Sequence, residues 1–312
     1  MNLSRSSLVK VTSPSFSKNS FLVDETRKYF PSAVFNTEGK GYTPQALREY
    51  LADADAAIIG LENIDDSVLA AAPRLKFIAK YGVGLDNIDQ EACARRGVKL
   101  GFTPGVNRRS VSEQVLSSMI GLCRNIYFSS LQLKNGIWNK TGGTQLSEKT
   151  VCIIGVGNVG KDLVSLLKPF QCTLLANDIV EQRDFYKQHG LYNVSKETIY
   201  READIITLHV PLTPETTYLI NKKSLACMKQ TAFLINTSRG KVVHQADLKA
   251  ALLAGTIAGA AIDVYESEPP HDLEFLTLQN LLCTPHIGGS SLEGITAMGL
   301  SALRHLRDYF QK

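Results

Sequence analysis

Short apolar runs alternate with amphipathic segments through the first hundred residues of the chain. The apolar runs predict buried strands, and the segments between them predict helices. Thr43 and Pro44 form a typical helix start, because threonine caps the first turn and proline fits its first position. In chain order, the predicted elements are strand 8–12, helix 21–30, helix 44–52, strand 56–59, helix 66–72, strand 76–79, helix 87–96 and strand 98–101. Such alternation predicts a parallel sheet with helices on both faces.

A second series of strands and helices begins at residue 151. Pro104 and Gly105 interrupt the first series, and a long helix is predicted over residues 109–125. The later predicted strands are 151–154, 173–176, 204–208, 232–235, 258–262 and 281–283, which make a six-stranded doubly wound unit. One amphipathic helix is predicted over residues 291–310. The predicted fold class is therefore α/β, with two doubly wound parallel-sheet domains.

Length and composition agree with a globular protein of two domains. The chain has 312 residues, of which 44% are hydrophobic and 21% are charged. No apolar run approaches the roughly 18 residues of a membrane helix, and the first residues lack the apolar core of a signal peptide. We therefore expect a cytoplasmic protein with no membrane partner.

Charge and cysteine content argue against two further classes of protein. The net charge is only +4, and no long basic stripe occurs, so no nucleic-acid partner is predicted. The six cysteines are scattered, without CxxC pairs or metal-ligand spacing. We expect them to be reduced thiols, and we predict no metal site.

The segment VCIIGVGNVGKDL at residues 151–163 carries the strongest chemical signal in the chain. A buried strand is followed by Gly155, Gly157 and Gly160 at GxGxxG spacing, and a helix is predicted next. The first glycine allows a tight turn, the second lets the backbone approach a phosphate, and the third lets helix and strand pack closely. Asp178 ends the next apolar run, where its carboxylate can accept hydrogen bonds from ribose hydroxyls. Together these features predict a dinucleotide site, and the acid favours NAD over NADP because it repels a 2′-phosphate.

Three ionisable residues follow later strands of the same unit. Arg239 lies in NTSRG, Glu268 in AIDVYESEPP and His286 in TPHIGG. Ligands bind outside the carboxyl ends of parallel strands, so the three side chains are expected to converge on one cleft. Arginine can hold a 2-oxo acid with its fork of donors, histidine can exchange a proton with the carbonyl oxygen, and the glutamate can orient the imidazole. Each residue alone is equally typical of an ordinary loop, so the prediction rests on their combination with the dinucleotide signature.

The chain resembles the D-isomer-specific 2-hydroxyacid dehydrogenase family over almost its whole length. The matching blocks occur in the family's order: KYGVGLDNID (80–89), TPGVNRRSVSEQ (103–114), GVGNVG with Asp178, HVPLTPETTYLIN (209–221), NTSRGKVV (236–243), AIDVYESEPP (261–270) and TPHIGG (284–289). This resemblance implies an NAD-dependent oxidoreductase acting on the CH–OH group of a 2-hydroxy acid. It also implies a Rossmann NAD domain, residues 104–286, inserted into a flavodoxin-like substrate domain, residues 1–103 and 287–312.

The resemblance also implies specific site residues. The catalytic triad maps onto Arg239, Glu268 and His286. The family's cofactor contacts map onto Gly155, Gly157, Asn158, Val159, Gly160, Asp178, Val210, Thr237 and Asp263. The amides of Val83 and Gly84 are expected to bind the substrate carboxylate, and Arg239 to share in holding the substrate. A homodimer through the helix at 109–125 is the family expectation.

The sequence favours D-3-phosphoglycerate as the substrate and leaves two alternative functions open. Lys80 and the NRRSVSE run resemble short D-3-phosphoglycerate dehydrogenases, in which a basic residue beside the carboxylate-binding loop would suit a phosphate. Lys80 is equally compatible with an ordinary lysine that makes no substrate contact. Reduction of hydroxypyruvate or glyoxylate is the alternative within the family. A non-catalytic, NAD-sensing protein like the corepressors of this fold is the alternative from a different class.

Overall fold

A computed structural model describes residues 7–311 of the chain. The chain forms two compact units, which are Met1–Asn107 with Gly289–Lys312 and Arg108–Gly288. Each unit is built around one parallel β-sheet, as the alternation of strands and helices predicts.

The first unit is a five-stranded sheet with helices on both faces. Its strands are β1 (Val9–Val11), β2 (Val34–Phe35), β3 (Ala56–Ile59), β4 (Phe77–Lys80) and β5 (Lys99–Gly101), in the spatial order β2-β1-β3-β4-β5. Its helices are α1 (Pro14–Lys18), α2 (Ser20–Tyr29), α3 (Pro44–Leu51), α4 (Asp66–Ala71), α5 (Gln90–Arg95) and α14 (Leu292–Phe310). Every paired strand is parallel, and β3 and β4 are wholly buried because helices cover both of their faces. The predicted Thr43 cap is present, since its side chain accepts from Ala46 N–H at the start of α3.

The second unit is a seven-stranded parallel sheet. Its strands are β6 (Thr150–Ile154), β7 (Thr173–Asn177), β8 (Leu191–Asn193), β9 (Ile205–Leu208), β10 (Phe233–Asn236), β11 (Gly259–Ile262) and β12 (Leu281–Cys283), in the order β12-β11-β10-β9-β6-β7-β8. Its helices are α6 (Arg108–Cys123), α7 (Ile126–Lys134), α8 (Asn158–Leu167), α9 (Arg183–His189), α10 (Lys196–Glu202), α11 (Lys222–Ala226), α12 (Gln245–Leu253) and α13 (Leu273–Leu276). The strand order reverses between β6 and β9, and this switch point is where doubly wound sheets bind their ligands.

Three elements differ from the sequence prediction. The second sheet has seven strands rather than six, because β8 adds an edge strand of which only Leu191 is buried. The first sheet gains β2, whose two residues are too short to show a period. The helix predicted at 109–125 is present as α6 (Arg108–Cys123), but α7, which follows it after a turn at Asn125 with a φ of 54°, was not predicted.

The boundaries between the units also differ from those expected from the sequence. Residues 104–107 lie in the first unit, where Val106 packs on the core and Asn107 Nδ2 lies 3.6 Å from Sδ of Met298. Ile287 and Gly288 lie in the second unit, because both backbone N–H groups donate to the carboxylate of Asp263. Among the described residues, 7–311, no helix is long and apolar enough to cross a membrane.

Candidate functional site

The carboxyl edge of the second sheet gathers the residues singled out in the sequence. Strand register pairs Asn177 with Ile154, Ile154 with Leu208, Leu208 with Asn236, Asn236 with Ile262 and Ile262 with Cys283. The residue after each of these positions begins a loop. The six loops therefore start side by side, although their sequence positions span more than a hundred residues.

The glycine-rich turn after β6 has the backbone that the spacing predicts. Gly155 has a φ of +93°, and a Cβ there would lie 2.6 Å from the carbonyl oxygen of His209. A Cβ on Gly160 would lie 2.4 Å from the carbonyl oxygen of Gly155, so this glycine lets α8 pack closely on β6. Gly157 is the N-cap of α8 and has no atom within 4 Å of its would-be Cβ. The turn thus leaves open space at the N-terminus of a ten-residue helix, as a pyrophosphate requires.

Asp178 follows β7 and lies against this turn. Its Oδ2 accepts from the backbone N–H of Val156 at 2.6 Å, and its Oδ1 accepts from Val180 N–H at 2.8 Å. The side chain is half-buried. Because each carboxylate oxygen has a second lone pair, the acid can still accept from ribose hydroxyls.

Arg239 is held in place by the buried side chain of Asn236. The Nδ2 of Asn236 donates to the Arg239 carbonyl at 2.9 Å, and its Oδ1 accepts from the backbone N–H and the hydroxyl of Ser238. The next residue, Gly240, lies directly against the backbone of Tyr265, where a Cβ would come within 1.9 Å of the carbonyl oxygen. This contact brings the loop of Arg239 against the segment that leads to Glu268. The structure places Arg239 half-buried at this edge.

Glu268 and His286 form a direct pair. His286 Nδ1 lies 2.7 Å from Glu268 Oε2, and Glu268 Oε1 accepts from the backbone N–H of Tyr265 at 3.1 Å. Both side chains are about one-third exposed, at 32% for the histidine and 33% for the glutamate. With Nδ1 engaged, the Nε2 atom of His286 is the ring nitrogen that can exchange a proton with a substrate.

The ionisation of Glu268 is set by two opposing effects. Burial disfavours the carboxylate, but the hydrogen bond and the charge of His286 favour it, and the net result is a pKa below the usual range of a glutamate. Glu268 is therefore an anion at neutral pH, and its carboxylate orients the imidazole through their 2.7 Å contact.

Asp263 supports the turn that carries His286. Its Oδ1 accepts from Gln114 Nε2, Thr284 Oγ1 and the N–H of Ile287, and its Oδ2 accepts from the N–H of Gly288. Its backbone carbonyl accepts from His286 N–H at 2.8 Å. These bonds hold the histidine at a φ of 53°, a left-handed conformation that is uncommon for a residue with a side chain.

This geometry changes the role expected for Asp263. The resemblance implied a cofactor contact, but the side chain is only 2% exposed and its oxygens are occupied by four donors from the protein. The sequence could not reveal these hydrogen bonds, because three of the four donors belong to the loop 284–288, about 20 residues farther along the chain.

The remaining predicted cofactor contacts line the same edge. The hydroxyl of Thr237 is buried and, among the described residues, has no hydrogen-bond partner. Val210 is half-buried next to Gly155, and Asn158 and Val159 occupy the first turn of α8. An unpartnered hydroxyl and an open helix N-terminus fit a dinucleotide, so the residues present are compatible with NAD.

His209 follows β9 but has the properties of a structural histidine. Its Nε2 lies 2.9 Å from Thr207 Oγ1, and burial lowers its pKa to about 4. The ring is therefore neutral at physiological pH.

Lys80 in the first unit does not lie at the surface. The side chain is 5% exposed, and its Nζ donates to the Gly60 carbonyl at 2.5 Å and to Asn87 Oδ1 at 2.6 Å. The ammonium thus ties the end of β4 to two other loops of its own unit. Val83 and Gly84 lie half-buried in the loop that follows. Two of the three donors of this ammonium are directed to the protein, and the phosphate contact at Lys80 stays a prediction.

Sequence reasoning missed the residues that hold the site together. Gln114 and Tyr265 contact loops distant in sequence, and Tyr265 donates its hydroxyl to the Thr284 carbonyl at 3.0 Å. Asn236 holds the loop that begins just after it, through Ser238 and the carbonyl of Arg239. The motifs NTSRG and AIDVYESEPP contain two of them, but no local pattern distinguishes a supporting residue from a reacting one.

Comparisons with known proteins point to one family of dehydrogenases. The family profile described as D-isomer specific 2-hydroxyacid dehydrogenase, NAD binding domain, matches residues 116–288. The chain is 36% identical over 272 residues to a glyoxylate reductase of Pyrococcus furiosus, a match that covers 84% of this chain and 81% of that enzyme. It is also 36% identical over 263 residues to a D-3-phosphoglycerate dehydrogenase of Methanocaldococcus jannaschii, covering 83% of this chain but 50% of that protein.

A solved structure agrees at the level of the fold. The crystal structure of a D-lactate dehydrogenase from Aquifex aeolicus superposes with a TM-score of 0.85 at 24% identity, covering 97% of this chain and 95% of that one. The architecture is therefore shared.

Proposed function

Since the chain belongs to the D-isomer specific 2-hydroxyacid dehydrogenase family, we propose that it uses NADH to reduce a small unphosphorylated 2-oxo acid, either glyoxylate or hydroxypyruvate. Membership of the family makes it an NAD-dependent oxidoreductase that acts on the CH–OH group of 2-hydroxy acids. The proposal concerns the substrate and the roles of individual residues.

The proposed proton donor is His286. NADH held at the glycine-rich turn would supply the hydride that the carbonyl carbon of the substrate receives. The Nε2 atom of His286 delivers a proton to the carbonyl oxygen, so that the C=O group becomes CH–OH. Glu268 orients the imidazole before and during the transfer, since their contact is 2.7 Å. In the reverse direction, the neutral imidazole accepts the hydroxyl proton.

The proposed substrate anchor is Arg239. Its guanidinium has a planar fork of donors that matches a carboxylate and an adjacent carbonyl oxygen. Two contacts support this role, because they fix the backbone on both sides of the arginine. These are the hydrogen bonds of the Asn236 side chain to Ser238 and to the Arg239 carbonyl, and the close contact of Gly240 with Tyr265. The amides of Val83 and Gly84 are proposed as a second contact for the substrate carboxylate.

The proposed cofactor site is the carboxyl edge of the second sheet from β7 through β6 and β9 to β10. Gly155, Gly157 and Gly160, with Asn158 and Val159, cradle the pyrophosphate at the start of α8. Asp178 accepts from the adenosine ribose, and Val210 and Thr237 line the path toward the nicotinamide. A carboxylate at Asp178 favours NAD over NADP, because a 2′-phosphate would be repelled. Comparing kcat/KM for NADH and NADPH tests this, and a preference for NADPH would contradict the role of Asp178.

The burial of Lys80 is the observation that carries the choice of an unphosphorylated acid. A phosphate-binding lysine needs donors directed at the ligand, whereas two donors of Lys80 bind Gly60 and Asn87. The two arginines of the NRRSVSE run, Arg108 and Arg109, also have an acidic partner, since both lie within 4.0 Å of the carboxylate of Asp162. The similarity to a glyoxylate reductase over 81% of its length supports the same choice.

D-3-Phosphoglycerate remains the second candidate substrate. The observation in its favour is the 36% identity to a D-3-phosphoglycerate dehydrogenase, of which this chain matches 50%. The expectation of a phosphate contact at Lys80 favoured the same substrate, and its burial removes most of that support.

Steady-state kinetics with NADH distinguishes these functions. We expect kcat/KM for glyoxylate or hydroxypyruvate to exceed that for phosphohydroxypyruvate by at least tenfold. A preference for phosphohydroxypyruvate would favour the second candidate. A protein that binds NADH but reduces none of the three acids would instead resemble an NAD-sensing binding protein.

Two variants test the assignment of Lys80 separately. Lys80→Met should reduce activity toward hydroxypyruvate and phosphohydroxypyruvate to a similar extent, because it loosens a loop and removes no phosphate contact. Lys76→Met is the matched control, since this lysine is exposed just before the same strand. A loss confined to phosphohydroxypyruvate in Lys80→Met would contradict the proposal.

We also propose a cytoplasmic homodimer, as the sequence and the family resemblance led us to expect. Helix α7 supports the dimer, because none of its residues is buried and Ile126, Tyr127, Leu131 and Leu133 are at least 46% exposed. Sedimentation equilibrium tests the assembly, and a monomer at micromolar concentration would contradict it.

A further inference from the structure

The apex of the glycine-rich turn is held by the segment that follows β7. Val156 is fully buried at this apex. Its N–H donates to Asp178 Oδ2 at 2.6 Å, and its carbonyl accepts from Gln182 Nε2 at 3.0 Å. Both backbone polar groups of this one residue are therefore bound by side chains four positions apart on a neighbouring loop.

Gln182 also approaches Asp178 directly. Its Nε2 lies 3.5 Å from the Oδ2 atom that receives the Val156 hydrogen bond. The residue is itself fixed, because it is the N-cap of α9 and its carbonyl accepts from Tyr186 N–H at 3.0 Å. Val156, Asp178 and Gln182 thus form a closed set of contacts between the phosphate end and the ribose end of the proposed cofactor site.

We propose that Gln182 is a positioning residue for the adenosine half of the dinucleotide. It acts by holding the glycine-rich turn and the Asp178 carboxylate in one arrangement, so that pyrophosphate and ribose find their partners already placed. This inference rests on the proposed cofactor site, but it is independent of which acid is reduced. Preorganisation of this kind lowers the cost of binding rather than the barrier to hydride transfer.

The chemistry of an uncharged amide explains why glutamine suits this position. The Nε2 group can donate to the Val156 carbonyl while it lies next to the Asp178 carboxylate. A glutamate in its place would lose the donor and add a second negative charge beside Asp178. An alanine would lose the donor alone, leaving the carbonyl without its side-chain partner.

Binding titrations of the full-length protein test this role without requiring turnover. The probes are NADH and ADP-ribose, which keeps the pyrophosphate and the adenosine ribose but lacks nicotinamide. For Gln182→Ala, we expect the Kd of both probes to rise about 3- to 10-fold, as the loss of one hydrogen bond predicts. Gln182→Glu should weaken binding further, while kcat at saturating NADH stays close to wild type.

The matched control is Glu181→Gln. Glu181 is 65% exposed and pairs with Arg183, so this variant changes the charge of the loop without touching Val156. It should leave the Kd of both probes unchanged. A double variant with Asp178→Asn should lose less binding than the sum of the two single variants, because both residues act on the same turn.

The outcomes separate this inference from the proposed function. Wild-type Kd values for both probes in Gln182→Ala and Gln182→Glu would overturn the role of Gln182, and so would a lower Tm with unchanged Kd. A protein that binds both probes with the expected losses, yet reduces none of the acids, would contradict only the proposed substrate.

Discussion

The Nδ1 atom of His286 lies 2.7 Å from the Oε2 atom of Glu268, across a separation of 18 residues in the chain. The glutamate is held from its other side by the N–H of Tyr265, and the histidine is held by the carbonyl of Asp263. The pair is therefore fixed at both ends by backbone contacts. Such a fixed acid–histidine pair directs Nε2 outward, which is the geometry that a general acid needs.

Replacement of His286 by alanine should remove turnover while the cofactor still binds. The variant loses the proton donor, and the glycine-rich turn is untouched, so kcat should fall about 100- to 10,000-fold. Single-turnover kinetics and an NADH titration measure the two effects. His271→Ala is the matched control, because this histidine is exposed close to Glu268. A His286→Ala enzyme with most of the wild-type kcat would remove this histidine from the mechanism.

Replacement of Glu268 by glutamine should change the pH dependence of reduction. The amide can still orient the imidazole, but it no longer favours the imidazolium by its charge. Reduction consumes the proton of the imidazolium, so the loss of activity at high pH should begin at a lower pH than in the wild type. The kcat/KM profile between about pH 5 and 9 measures this shift. An unchanged profile would mean that Glu268 is not the effective partner of His286.

The same pair predicts the direction of an acid effect on stability. Because the folded state lowers the pKa of Glu268, the contribution of the carboxylate is complete above the usual value of 4.5 and disappears as the pH falls through the lowered pKa. The difference in Tm between wild type and Glu268→Gln should therefore shrink as the pH is lowered below that value. A difference that grows toward acid pH would contradict this assignment.

Replacement of Arg239 by lysine should impair the acid substrate and spare the cofactor. Lysine keeps the charge but loses the planar two-point contact, so it is not a conservative change at such a site. We expect kcat/KM for the 2-oxo acid to fall by the equivalent of about 2–5 kcal/mol, with the Kd of NADH little changed. Arg201→Lys, an exposed arginine on α10, serves as the control. An equal loss in cofactor affinity would contradict the assignment of Arg239 to the substrate.

Asp263→Asn tests whether the buried carboxylate supports the turn of His286. Asparagine has an NH2 group in place of one carboxylate oxygen, and this group would face N–H or O–H donors instead of accepting hydrogen bonds from them. The free energy of unfolding should therefore fall by about 1–3 kcal/mol. The kcat should fall as well, because His286 loses the support of its left-handed turn. Chemical denaturation and steady-state kinetics measure both. Full stability in this variant would contradict the structural role assigned to Asp263.

The parts of the fold that follow from local patterns could be predicted from the sequence. Buried strands such as β3 show continuous apolar runs, and the glycines at 155, 157 and 160 carry their spacing in the chain itself. The convergence of Glu268 and His286 also follows, since parallel strands end at one edge of a sheet.

Features that depend on loops meeting in space could not be predicted. The resemblance implied that Asp263 contacts the cofactor, but its four donors come from α6 and from the loop after β12. Lys80 reads equally as a ligand contact or as an ordinary lysine, and only the positions of Gly60 and Asn87 show where its donors go. Strand β8 was not predicted, because only one of its three residues is buried and the segment therefore shows no hydrophobic pattern of a strand.

The most direct test of the central claim is to trace the hydride and its stereochemistry in one experiment. Hydroxypyruvate is reduced with NADH that carries deuterium at both hydrogens of nicotinamide C4, and the glycerate formed is examined by mass spectrometry and chiral chromatography. Direct transfer at the site of Arg239, Glu268 and His286 predicts D-glycerate with one deuterium at its second carbon, and loss of that product in His286→Ala. Glycerate without deuterium, glycerate of the L configuration, or an undiminished yield from the His286→Ala enzyme would contradict the account.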